Sequence, residues 1–121
     1  MFKGKGRVEY RENPLSAYLL IDGGEDLVAY YRKLIPPSYG VKPSLYAPHI
    51  TISRGGVETI EEKLWEGRVL NFSYALPIYY SYPYFFLCVE SEEIGNLREL
   101  LGLPRWRFSD KTYHVTVGNT K

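Results

Sequence analysis

Two stretches of the chain alternate apolar and polar residues in the same way: Pro48-His49-Ile50-Thr51-Ile52 and Tyr113-His114-Val115-Thr116-Val117. A period of two is that of a β-strand, whose successive side chains point to opposite faces. Ile50, Ile52, Val115 and Val117 are therefore expected to anchor one face of each strand. His49, Thr51, His114 and Thr116 are expected to stand on the other.

The pattern around these stretches predicts the remaining elements. Residues 2–6 read as a loose basic loop, after which Val8 and Tyr10 begin an alternating strand. Asn13-Pro14 marks a turn, and residues 16–21 form a nearly continuous apolar run, expected as a central strand. Leu27, Tyr30, Tyr31 and Leu34 recur at i, i+3, i+4 and i+7 and predict a helix over 25–35, which Pro36-Pro37 stops. The first motif strand is expected over 48–54, ended by Gly55-Gly56. Thr59 and Glu62 stand at capping-box spacing and open a short acidic helix that Gly67 closes.

Residues 68–90 predict two or three strands interrupted at Pro77 and Pro83, with 85–89 the most apolar. Ser91 is placed to cap a helix over 91–102, whose apolar face is Ile94, Leu97 and Leu101 and which Gly102 and Pro104 end. The order apolar strand, helix, His-x-Thr strand thus occurs twice. We expect one domain over 1–121 with an internal duplication of roughly 7–67 and 68–121. A pseudo-twofold axis between the halves would bring His49 and His114 to one cleft.

Composition narrows the class. A chain of 121 residues with 45% hydrophobic and 24% charged side chains suits one soluble globular domain. No stretch reads as a signal peptide or a bilayer span. Cys88, the single cysteine, excludes an internal disulfide and is expected as a small buried hydrophobe. These features favour a reducing, cytoplasmic compartment and no membrane partner. Net charge is +1, yet residues 98–121 carry five basic and two acidic side chains. That basic end suits a phosphate near the second motif. The small net charge argues against a binder of duplex DNA.

The only two histidines of the chain both lie in His-x-Thr. Two imidazoles facing one phosphate supply general acid–base chemistry: one takes a proton from the attacking oxygen, the other gives one to the leaving oxygen. An unperturbed imidazole titrates near neutrality, the range such chemistry needs. Threonine hydroxyls two positions along are placed to donate hydrogen bonds to the charged non-bridging oxygens. Zinc would want three or four His, Cys or carboxylate ligands, and with no third His and no clustered Cys we expect no metal and no cofactor. No serine sits on a nucleophile elbow. The reading from another class is a non-catalytic nucleotide- or RNA-binding module, using the tyrosines at 74, 79, 80, 82 and 84 as a stacking surface.

The two complete motifs, His49-Ile50-Thr51 and His114-Val115-Thr116, resemble those of the 2H phosphoesterases. The resemblance implies an α+β fold, the 2H phosphoesterase fold, of two pseudo-symmetric lobes of antiparallel sheet with outer helices and a central cleft. It also implies metal-independent phosphodiester hydrolysis on ribonucleotides, with His49, Thr51, His114 and Thr116 catalytic. Compactness and the Lys-Gly-Lys-Gly start look like the phage anti-CBASS phosphodiesterases, which implies cyclic oligonucleotide second messengers as substrates, met in the host cytoplasm. An RNA 2′,3′-cyclic phosphodiesterase is the alternative. Tyr10, Tyr39 and Trp106 are candidates to stack on bases, and Arg54 and Lys111 to meet phosphates of a small nucleotide.

Overall fold

The computed structural model describes residues 1–12, 15–54 and 65–121. The turn at Asn13-Pro14, the glycines at 55 and 56, and the helix expected from Thr59 and Glu62 lie outside the described residues.

The protein is a mixed α+β fold. Its strands are β1 (Phe2–Arg11), β2 (Ser16–Ile21), β3 (His49–Arg54), β4 (Val69–Ser81), β5 (Tyr84–Glu90) and β6 (Tyr113–Asn119). Helix α1 (Gly24–Arg32) links β2 to β3, and α2 (Glu92–Leu100) links β5 to β6. All strand pairs are antiparallel, and the order β1-β2-β3-β6-β5-β4 closes on itself as a barrel. Each strand thus has two neighbours, and the β3–β6 pairing is the shortest, made at Ile50 and Val115.

The pairings obey a twofold relation. Within each half, Leu19 lies where Leu87 lies and Tyr18 where Phe86 lies, beside the motif strands β3 and β6. One seam between the halves is β3 against β6, with Ile50 opposite Val115; these are the middle residues of the two motifs. The other seam is β1 against β4, with Gly4 opposite Phe72.

The strand begins at Phe2, earlier than the expected loop allows. Its two glycines are the reason: a Cβ on Gly4 would meet the Phe72 ring, and one on Gly6 would meet the Leu20 carbonyl. A polar, glycine-bearing stretch is here the closing strand of a barrel, where neighbouring chains approach closely.

The core runs on one face of the strands and onto both helices. Val8, Leu19, Ile50, Ile52, Leu87, Val89, Val115 and Val117 pack with Val28 and Tyr31 of α1 and with Ile94 and Leu97 of α2. In α1 the buried stripe is Val28, Tyr31 and, just beyond the helix, Ile35, with Leu27 half-buried; Tyr30 and Leu34 are exposed. Two apolar stripes one residue apart compete along this helix, and periodicity alone does not choose between them. In α2 the expected face is the buried one, and the Ser91 hydroxyl accepts from Ile94 N–H at 3.1 Å as the N-cap. β4 is one long strand, with Leu76 and Pro77 taken up in a bulge between Ala75 and Ile78.

Each helix also holds the motif strand of the other half. Arg32, one residue after Tyr31, donates from Nη1 to the Val117 carbonyl at 3.2 Å. Arg98, one residue after Leu97, donates from Nη1 to the Ile52 carbonyl and from Nε to the Pro104 carbonyl at 2.8 Å. Ile52 and Val117 are equivalent: each directly follows its motif threonine. Arg98 is buried, so these carbonyls replace the water its charge has lost. Burial lowers its pKa, and nearby Tyr113 counters that in part.

Candidate functional site

Parity places the motif side chains. Ile50, Ile52, Val115 and Val117 are fully buried, which turns His49, Thr51, His114 and Thr116, all half-buried, to the opposite face. Around Ile50–Val115 the antiparallel register sets His49 alongside Thr116 and Thr51 alongside His114. Both pairs line one cavity of about 430 Å³, together with Ser81, Tyr84, Phe86, Arg107 and Phe108. A larger groove of about 740 Å³ runs past Lys3, Asn71, Glu90 and Trp106 and carries neither histidine. Chemistry, not volume, singles out the smaller one.

The two imidazoles are held differently. His49 Nδ1 lies 2.8 Å from the Ala47 carbonyl, which can only accept, so Nδ1 carries the proton and Nε2 is the free nitrogen. The ring meets Tyr18 edge-on, with centroids 5.1 Å apart. His114 is sandwiched between Phe86 at 4.2 Å and Phe108 at 4.3 Å, both stacked. Its Nε2 is buried without a hydrogen-bond partner and faces the Asp110 carboxylate at 3.5 Å. That charge favours the tautomer with the proton on Nε2 and leaves the lone pair on Nδ1.

Electrostatics follow burial. Desolvation between the two phenylalanines lowers the His114 pKa below its ordinary 6.5, Asp110 partly restores it, and the Arg107 cation lowers it again. Burial alone would raise the Asp110 carboxyl, but Thr112 and His114 beside it outweigh that and hold it low. Thr112 N–H donates to this carboxylate at 3.1 Å. Burial pushes the Cys88 thiol up. Cys88 pairs directly with His114 across β5 and β6; its equivalent beside His49 is Leu20.

The loop from α2 to β6 delivers Arg107 and Phe108 to the cavity. Arg105 fastens this loop to α2 through Glu92 at 2.9 Å, Glu99 at 2.6 Å and Asn96 at 2.8 Å. Gly95 leaves room for it, because a Cβ there would strike the Arg105 guanidinium. Tyr113 Oη donates to the Arg105 carbonyl at 2.6 Å. Arg107 then reaches the cleft with its guanidinium 4.9 Å from the Phe108 ring centroid.

The residues expected to bind substrate do not gather here. Tyr10 is buried in the core, because it shares a strand face with Val8. It cannot stack on a base. Tyr39 is exposed and packs edge-on against Phe85, beside an apolar hollow with Leu34 and Tyr80. Trp106 and Lys111 border the larger groove, not the His cavity. Lys111 takes φ 61°, a left-handed turn that redirects the chain before β6. Arg54 is exposed at the end of β3 and does not line the cavity. Tyr18, Phe86, Arg107 and Phe108 are what sequence reasoning missed. The signal was available for Tyr18, which alternates with Leu19, and for Arg107, in the basic loop before the second motif.

Comparison with protein-family models, curated proteins and solved structures finds no match to this chain. No helix among the described residues is long and apolar enough to cross a membrane.

Proposed function

We propose that the protein is a metal-independent phosphodiesterase of 2H phosphoesterase type, with the barrel seam at β3 and β6 as its central cleft. The observation that carries the reading is that two His-x-Thr pairs, related by a twofold axis through Ile50 and Val115, line one cavity with an arginine. Arg107 and the two threonine hydroxyls would bind the non-bridging oxygens of a phosphodiester. Water attacks phosphorus, and its proton passes to Nδ1 of neutral His114. The bond to the leaving ribose oxygen breaks, and protonated His49 gives that oxygen its Nε2 proton. Nδ1–H of His49 stays on the Ala47 carbonyl throughout, which fixes the ring. Products are a phosphomonoester and a free hydroxyl. The Tyr84 ring on the cavity wall suits a nucleobase.

Within this class we favour cyclic oligonucleotides, with a 2′,3′-cyclic phosphate as the other substrate to be tried. The deciding experiment is one panel of 2′,3′-cyclic mononucleotides, cyclic dinucleotides and cyclic trinucleotides, incubated in EDTA and read by chromatography. Turnover that persists in EDTA and vanishes in His49→Ala is the expected result. Tight binding without turnover by the wild type would make the protein a nucleotide-binding module instead. Turnover abolished by EDTA would overturn the two-histidine chemistry.

A further inference from the structure

At His114, on the cross-strand side of Cys88 and the turn that precedes β6, three different ligand groups converge. The Cys88 sulfur, an Asp110 carboxylate oxygen and a His114 ring nitrogen all lie within 4.8 Å of one another. Two buried polar atoms at this spot, His114 Nε2 and Thr112 Oγ1, make no hydrogen bond of ordinary geometry; Nε2 has only the long contact to Asp110 at 3.5 Å. Buried polar atoms so loosely satisfied are uncommon in proteins, and a bound cation is one of the things that satisfies them. We propose that Cys88, Asp110 and His114 form a zinc site that switches the proposed phosphodiesterase off.

The distances suit zinc. Bond lengths of about 2.0–2.2 Å to nitrogen and oxygen at a tetrahedral angle place those ligand atoms about 3.4 Å apart. His114 Nε2 and Asp110 Oδ2 are 3.5 Å apart. Sulfur at about 2.3 Å from the metal would sit about 3.6 Å from each of the others, so from a present separation of no more than 4.8 Å Cys88 closes in by at most about 1.2 Å. A thiolate, an imidazole and a carboxylate make a mixed set that prefers zinc to magnesium or calcium. The Thr112 hydroxyl or a water completes four-coordination. In the other half of the barrel Leu20 stands where Cys88 does, so His49 has no thiol at that position.

Zinc on Nε2 disables the imidazole by moving its proton. Binding displaces the thiol proton of Cys88 to solvent and shifts the His114 proton from Nε2 to Nδ1. A metal-bound imidazole with Nδ1–H has no lone pair left to accept a proton from water. The binding half of this proposal stands on the cluster alone; the switching half rests on the proposed function.

The experiment therefore reads both, separately. Zn²⁺ is titrated into the wild-type protein against a chromophoric chelator, and Co²⁺ is added in a parallel sample to reveal thiolate ligation by its near-ultraviolet charge-transfer band. One equivalent of Zn²⁺ should bind, and Cys88→Ser and Asp110→Asn should each weaken it at least tenfold. Cys88→Ser should also remove the cobalt band and leave turnover intact but insensitive to Zn²⁺. Failure of wild type to bind Zn²⁺, or binding unchanged in both variants, overturns the site. Binding with these ligands in a protein whose turnover Zn²⁺ does not slow overturns the switch. If the site binds and no substrate is turned over at all, it is the phosphodiesterase reading that fails.

Discussion

His49 and His114 occupy equivalent places on equivalent strands and live in different surroundings. One rests its Nδ1 proton on a backbone carbonyl and meets a single tyrosine edge. The other lies between two phenylalanine faces with its Nε2 turned to a carboxylate. The backbone symmetry supplies two imidazoles at one cavity; the side chains around them supply opposite tautomers. For the proposed base the tautomer matters directly: with its proton on Nε2 toward Asp110, His114 keeps the Nδ1 lone pair to accept a proton.

The largest test of this contrast is removal of either ring. His49→Ala and His114→Ala should each lower kcat/KM by about two to four orders of magnitude. The double variant should be only slightly worse than the worse single one, since the pair acts as a unit. Additive losses in single-turnover assays would mean that the two work independently.

Next come the arginines that cross between halves. Arg98→Met removes the donor to the carbonyl of buried Ile52 and to that of Pro104, and should cost about 2–3 kcal/mol in urea unfolding. Arg32→Met, at a half-buried residue with one such bond, should cost about 1 kcal/mol. Equal losses would show that burial at Arg98 carries no extra weight. Thr51→Val and Thr116→Val should each reduce kcat about 10- to 100-fold with little change in KM.

The smallest expected effect is a shift along the pH axis, measured in EDTA. Burial holds the His114 pKa below its unfolded value near 6.5, so the neutral ring persists to lower pH than in the unfolded chain. The acid limb of kcat/KM should therefore lie below the ordinary imidazole range. Stability has the same sign: the folded state resists protonation at His114, so stability declines once pH falls below about 6.5 and levels off below the folded pKa. Phe108→Ala opens one side of the sandwich and should move the limb to higher pH. Asp110→Asn removes the group that favours the charged ring and should move it lower. Imidazole chemical shifts followed by NMR distinguish the two, and shifts of the same sign in both variants would refute the assignment.

Much of this was legible in local pattern. Alternation alone put His49, Thr51, His114 and Thr116 on one face, and the cap and stripe of α2 were as written at Ser91, Ile94 and Leu97. What local pattern could not carry was long-range geometry. Gly4 reads as loop until Phe72 is known to lie across from it. Arg32 and Arg98 read as charges suiting a helix C-terminus, and nothing nearby in sequence points to carbonyls 85 and 46 residues away. Trp106 and Lys111 neighbour the second motif in sequence, yet they line a different groove, while Arg107 between them faces the cleft. Tyr10 is the avoidable error, because Val8 already named its face.

The crossing arginines also bear on autonomy. A single strand-strand-helix-strand half has two open edges, at β1 and β3 or at β4 and β6, and an arginine whose carbonyl acceptor lies in the other half. Neither half is therefore a self-sufficient folding unit, and the two stand or fall together. Carried on one polypeptide, they meet at any concentration and their facing residues are free to differ: Cys88 stands beside one histidine and Leu20 beside the other.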